Sequence, residues 1–116
     1  MNIKLFDSEL KVMEVLWSRG RVSAKDIAKI LNEEIGWKKS TTYTVINKCI
    51  EKGAIKRIDY QFNCEALIEK GDVQEYETRE LIDKYYNGSA LNLVAKLLDG
   101  KNKSKKEIEG IMREFE

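Results

Sequence analysis

Histidine is absent from the 116 residues, and cysteine is confined to Cys49 and Cys64. The first absence removes the commonest metal ligand and the commonest general base, and the second leaves no disulfide framework. No apolar run approaches the roughly 18 residues that a membrane span requires. The opening MNIKLFDSELKVM lacks the apolar stretch and small-residue cleavage site of a signal peptide. The expected address is therefore the cytoplasm. With no nucleophile-base pair to point to, neither an enzyme nor a metal or cofactor site is expected. The two cysteines read as small buried hydrophobes.

What is present describes a globular chain: 42% of residues are hydrophobic and 35% charged, too apolar for disorder and too evenly charged for a membrane segment. The length suits one compact module of about 70 residues with a dependent appendage. The net charge of +1 conceals a division. Residues 1–68 carry 12 Lys/Arg against 9 Asp/Glu, or +3, and residues 69–116 carry 9 against 11, or −2. Within the segment Lys38 to Arg57, Lys38, Lys39, Lys48, Lys52, Lys56 and Arg57 face only Glu51, a net +5. A local excess of that size attracts a phosphate backbone.

The apolar spacing predicts three helices and a hairpin in residues 1–68. Asp7 is the expected N-cap of the first helix, with Leu10, Met13, Leu16 and Trp17 on its buried face and Gly20 at its end. Ser23 with Asp26 three positions on resembles a capping box and opens a second helix with Ile27, Ile30 and Leu31 inward. Ser40 is the expected cap of a third, which stops at Gly53. Two strand-like runs follow, Ala54 to Ile58 and Tyr60 to Cys64, with Asp59 at the turn. This order is that of a winged helix-turn-helix domain, in which the third helix enters the major groove and the hairpin touches the flanking backbone.

Residues 69–116 read as three amphipathic helices, the first two separated by Asn87-Gly88 and the last opened by the capping box Ser104 to Glu107. Their stripes include Tyr76, then Leu91, Val94, Leu97 and Leu98, then Ile108, Ile111, Met112 and Phe115. Three short helices cannot easily bury such stripes alone, so these nine residues are the expected contacts of a homodimer, with folding back onto the first domain as the alternative. The whole is thus mainly α, a winged helix followed by a three-helix dimerisation arm.

The third helix carries the functional signal. Helical spacing gathers Thr42, Val45, Ile46, Cys49 and Ile50 on one side. Ser40, Thr41, Thr44, Asn47, Lys48 and Glu51 lie on the other, with Tyr43 on the flank. Small hydroxyls allow close approach to base edges, asparagine pairs bidentately with adenine, and lysine reaches guanine or phosphate. Threonines are poor helix formers and would be an odd choice for a merely solvated face. Lys38, Lys39, Ser40, Thr41, Tyr43, Thr44, Asn47, Lys48 and Arg57 are the candidate DNA-binding residues. A winged helix that binds protein instead of DNA is the alternative, and it would want an apolar patch on this helix, for which only Tyr43 is available.

Several of these segments together resemble the penicillinase repressors of the BlaI/MecI type, a family that also includes copper-responsive repressors. The resemblance rests on Leu10 to Trp17, similar to the family's E-x-x-V-M-x-x-x-W signature, on Trp37 followed by Ser40, Thr44, Asn47 and Lys48, and on Lys52-Gly53-Ala54-Ile55. It implies a winged-helix domain, a three-helix dimerisation arm, binding to inverted-repeat operator DNA and repression by promoter occlusion. It also implies that Thr41, Thr44 and Lys48 lie in or beside the major groove. Antibiotic-responsive members are cleaved at an Asn-Phe bond through a membrane sensor-protease pathway. Lys96-Leu97 stands at the matching place, so the upstream sensor or protease is not identified by the resemblance. The cysteine pairs of the copper-responsive members are missing from the tail, so copper sensing is not expected.

Overall fold

The computed structural model describes residues 3–99 together with Glu109, Gly110 and Arg113. Its elements run α1 (Asp7–Arg19), β1 (Val22–Ser23), α2 (Ala24–Ile35), α3 (Lys39–Glu51), β2 (Ile55–Arg57), β3 (Asn63–Ala66), α4 (Lys70–Tyr85) and α5 (Ala90–Leu98). The three strands form an antiparallel sheet with β3 in the centre, Val22 paired with Cys64 on one side and Arg57 with Cys64 on the other.

The chain divides into two compact units, Met1–Glu77 and Thr78–Glu116. In the first, Met13, Leu16, Ile27, Leu31, Ile46 and Ile55 are fully buried. Most of the periodic apolar residues of the sequence are thus the core, with Leu10, Trp17, Ile30 and Ile50 half-buried against it, as burial of one stripe per helix requires. Ile68 and Val73 join that core. The Trp17 indole also donates to the Ile68 carbonyl at 2.9 Å, so the compact unit continues into α4. Both tryptophans lie partly buried against this core, as expected for Trp17 on the buried face of its helix.

Two helix starts differ from expectation. Phe6, not Asp7, is the N-cap of α1: Glu9 reaches back to accept the Phe6 amide at 2.7 Å, leaving Asp7 in the first turn at the positive end of the dipole. Lys38, not Ser40, is the N-cap of α3, because its extended backbone (φ −69°, ψ 151°) places its carbonyl to accept the Thr42 amide at 3.2 Å. Ser23 does cap α2, accepting the Asp26 amide at 3.1 Å.

The hairpin also differs. Its second strand begins at Asn63, not Tyr60, and the intervening loop is closed by Asp59. That carboxylate accepts the amides of Gln61 at 3.0 Å and Asn63 at 3.3 Å, and the Asn63 side chain at 2.9 Å. These bonds, the Asn63 side chain first, hold the Asp59 pKa below the ordinary aspartate value. Tyr60 takes the tip, fully exposed. Strand β1 was not foreseen; two residues leave no periodic signal.

Within the second unit, Asn87 (φ 51°) and Gly88 (φ 77°) separate α4 from α5, and Ser89 caps α5 by accepting the Asn92 amide at 3.1 Å. Ile82 is buried, whereas Leu91, Val94 and Leu97 are exposed and Leu98 is half-buried. Tyr76, in the first unit, is half-buried. The expected final helix and its residues Ile108, Ile111, Met112 and Phe115 lie outside the described residues. Among those that are described, no helix is long and apolar enough to cross a membrane.

Candidate nucleic-acid interface

The angle between α2 and α3 is set by a three-residue turn. Gly36 adopts φ 74°, open to glycine without strain, and directs its amide back to the Asn32 carbonyl at 3.0 Å. The Asn32 side chain then donates to the Trp37 carbonyl at 3.0 Å, tying the turn to α2. Thr42, Val45, Ile46 and Cys49 are buried, which anchors α3 by one face. The opposite face carries Ser40, Thr41, Thr44, Asn47 and Lys48, all exposed, with Lys38 and Lys39 exposed at its start.

The chemistry of that face is specific. The Thr44 hydroxyl donates to the Ser40 carbonyl at 2.9 Å, so its outward capacity is a lone pair and a methyl group. No side chain caps α3 and no acidic residue occupies its first turn, so its amides and dipole face outward beside two lysines. Lys25, Lys29 and Lys39 line a shallow groove between α2 and α3, together with Asp26 and Asn32. Lys25 and Lys29, four residues apart on one face of α2, add two ammonium groups beside the candidate residues that the sequence pattern singles out.

Tyr43 and Arg57 have intramolecular partners. Tyr43 is half-buried, its ring 5.8 Å from that of Phe62 at an interplanar angle of 85°, while the Lys39 ammonium stands 5.7 Å from its centroid. Arg57 stacks 4.0 Å above the other partner, the Phe62 ring, and donates to the Asp59 carbonyl at 3.2 Å and the Tyr60 carbonyl at 3.4 Å. Phe62 itself has φ 58°, a left-handed conformation that costs a residue with a Cβ about 1–2 kcal/mol.

Behind the far end of α3, Glu9 is 1% exposed and receives the Lys52 ammonium at 2.6 Å. Lys52 also donates to the Lys4 carbonyl at 3.0 Å and lies 4.1 Å over the Phe6 ring. Replacing Lys52 by Met should destabilise the fold by about 2–3 kcal/mol, because a buried carboxylate loses its charged partner. Urea melts at pH 7 would measure it. The Lys52 side chain is 30% exposed, which keeps the figure below that of a wholly buried pair.

Both cysteines are buried. Burial raises the Cys49 thiol to about 12, helped by the nearby Glu9 carboxylate, and the Cys64 thiol to about 11. Above pH 9, the ordinary value, the unfolded chain loses these protons while the native chain keeps them. Their contribution to stability is therefore complete below about pH 9 and lost as pH rises through the native values. At neutral pH they are unreactive packing groups. The described residues hold no cluster of three metal-ligating side chains.

An anchored second helix, an outward third helix and an adjoining hairpin define a winged helix-turn-helix domain. The chain belongs to the penicillinase repressor family, a family of transcriptional repressors whose model matches residues 5–116. It is 26% identical to the penicillinase repressor of Bacillus licheniformis over 107 residues, covering 90% of this chain and 84% of that protein. It is 27% identical to the methicillin resistance regulatory protein MecI of Staphylococcus aureus (strain N315) over 108 residues, 91% and 88% of the two chains. The solution structure of the DNA-binding domain of the repressor BlaI matches with a TM-score of 0.56 at 26% identity, covering 62% of this chain and 90% of that one.

Proposed function

We propose that this protein is a sequence-specific, DNA-binding transcriptional repressor that acts as a homodimer on an inverted-repeat operator. The observation that carries the reading is α3 itself, buried along one face and offering Ser40, Thr41, Thr44, Asn47 and Lys48 along the other. Asn47, Thr44 and Lys48 meet base edges, while Thr41 and Ser40 allow close approach near the helix start. Lys38 and Lys39, together with Lys25 and Lys29, neutralise phosphates on either side. Tyr43 and Arg57 serve the interface from its edge, through the wing. No aliphatic patch interrupts the outward face of α3, which disfavours the protein-binding alternative. Selection from a random duplex pool should enrich an inverted repeat; a pool that stays random would overturn the reading.

The dimer rests on α5, where Leu91, Val94 and Leu97 stand exposed along a nine-residue helix. A second copy of the chain covers these side chains, with residues 78–116 as the dimerisation arm. The full chain is expected to be a dimer by light scattering at tens of micromolar, on the order of ordinary assay concentrations. Truncation after Glu77, which retains Ile68 and Val73 in their core, is expected to give a folded monomer. A monomeric full chain contradicts this part of the reading.

A further inference from the structure

Phe62 sits where every DNA-facing element of the domain meets. Its carbonyl accepts the Ala24 amide at the start of α2 at 2.9 Å, and its own amide donates to the Asp59 carbonyl at 3.1 Å. Its ring lies against Tyr43 of α3, and the guanidinium of Arg57 from β2 stacks on it at 4.0 Å. The same guanidinium holds two carbonyls of the wing loop, so loop, strand and ring form one unit. A phenylalanine in the left-handed region at φ 58° needs surroundings that over-determine it, and such positions persist where the conformation has a use. Beyond this stack the loop ends in Tyr60, fully exposed on a turn that Asp59 holds closed.

We propose that Phe62 is a positioning residue that fixes the wing against the recognition helix, so that Tyr60 meets the backbone flanking each half-site while α3 occupies the major groove. The inference rests on the DNA-binding reading above. Its basis is the continuous series Lys39, Tyr43, Phe62, Arg57, in which a cation faces each end of an edge-to-face aromatic pair and the two cations belong to different DNA-facing elements. A wing held this way meets DNA without first being ordered, which lowers the entropic cost of its contact. Tyr60 supplies an aromatic face to the sugar and a hydroxyl to a phosphate oxygen, contacts that position the protein without reading sequence.

The test compares Phe62→Leu, Phe62→Tyr and Tyr60→Ala on the operator enriched from a random duplex pool. Phe62→Leu is expected to bind about tenfold more weakly and to lose hydroxyl-radical protection of the flanking backbone, with the salt slope nearly unchanged because Tyr60 carries no charge. Guanine contacts in the major groove should persist. Phe62→Tyr keeps the ring and should restore both protection and affinity. Tyr60→Ala alters only an exposed side chain, so it folds regardless and should reproduce the flanking loss. In the free protein, the Arg57 side-chain proton resonances should lie upfield through the Phe62 ring current and move back in Phe62→Leu. Unchanged flanking protection in both Phe62→Leu and Tyr60→Ala would overturn the proposal. So would a Phe62→Leu variant that weakens every contact equally, since that is loss of fold and not of position. Failure of the wild-type chain to protect any duplex would sink the DNA-binding reading instead, and the Arg57 resonances would still report on the stack.

Discussion

Inserting about five base pairs between the half-sites of the operator is expected to reduce affinity to the non-specific level, a loss on the order of a thousandfold or more. The expectation follows from symmetry. A two-fold dimer offers one α3 per subunit, and two such helices enter successive major grooves on one face of DNA only when about 34–36 Å, or a multiple of it, separates them. Half a turn of extra duplex carries one groove to the far side. About ten extra pairs bring it back to the same face, and affinity recovers as far as the dimer can span the added length. A gel-shift series across spacers measures this, and indifference to spacing would mean that each subunit binds alone.

Thr44→Ala and Asn47→Ala should each weaken operator binding by roughly 1–3 kcal/mol, about 5- to 150-fold, while leaving random DNA nearly unaffected. The cause is local. Asn47 presents both a donor and an acceptor to a base edge. Thr44, whose hydroxyl proton is held by the Ser40 carbonyl, presents an acceptor and a methyl. Lys38→Ala and Lys39→Ala should behave differently, weakening both DNAs about equally and flattening the salt dependence, because a phosphate carries no sequence. The Lys39 change also removes an ammonium from the Tyr43 ring, so some loss of wing contact should accompany it. Fluorescence anisotropy on both duplexes at several salt concentrations separates the two classes. Equal losses on operator and random DNA for all four variants would show that α3 is not the reader.

The helices were legible because their signals are local. Met13 and Leu16, Ile27 and Leu31, and Val45, Ile46 and Cys49 recur at helical spacing, and all are buried. Ser23 capped the helix that its position implied. The outward face of α3 was legible by the same arithmetic, since a buried stripe fixes the exposed one. The wing was not. Asp59 closes its turn through the amides of Gln61 and Asn63, and Phe62 takes a conformation that propensity assigns to glycine or asparagine. An aromatic run around an aspartate therefore looked like strand where the chain makes a loop.

The role of Glu9 was hidden for a different reason. A glutamate in a first helical turn reads as a surface residue, and its partner Lys52 lies 43 positions away. The extent of the first unit was hidden likewise. Ile68 and Val73 join its core only because Trp17 and α1 are there to receive them.

The most direct test of the account places a probe on α3 itself. Because Cys49 and Cys64 are buried with raised thiol pKa values, a Thr44→Cys variant carries one reactive thiol, which an azidophenacyl group can label selectively. Irradiated on the enriched operator, the probe is expected to cross-link to bases in two major grooves about ten base pairs, or an integral number of turns, apart. A Lys96→Cys label on the arm should leave those bases untouched. Cross-links from the arm position with none from position 44 would contradict the claim that the third helix reads the DNA.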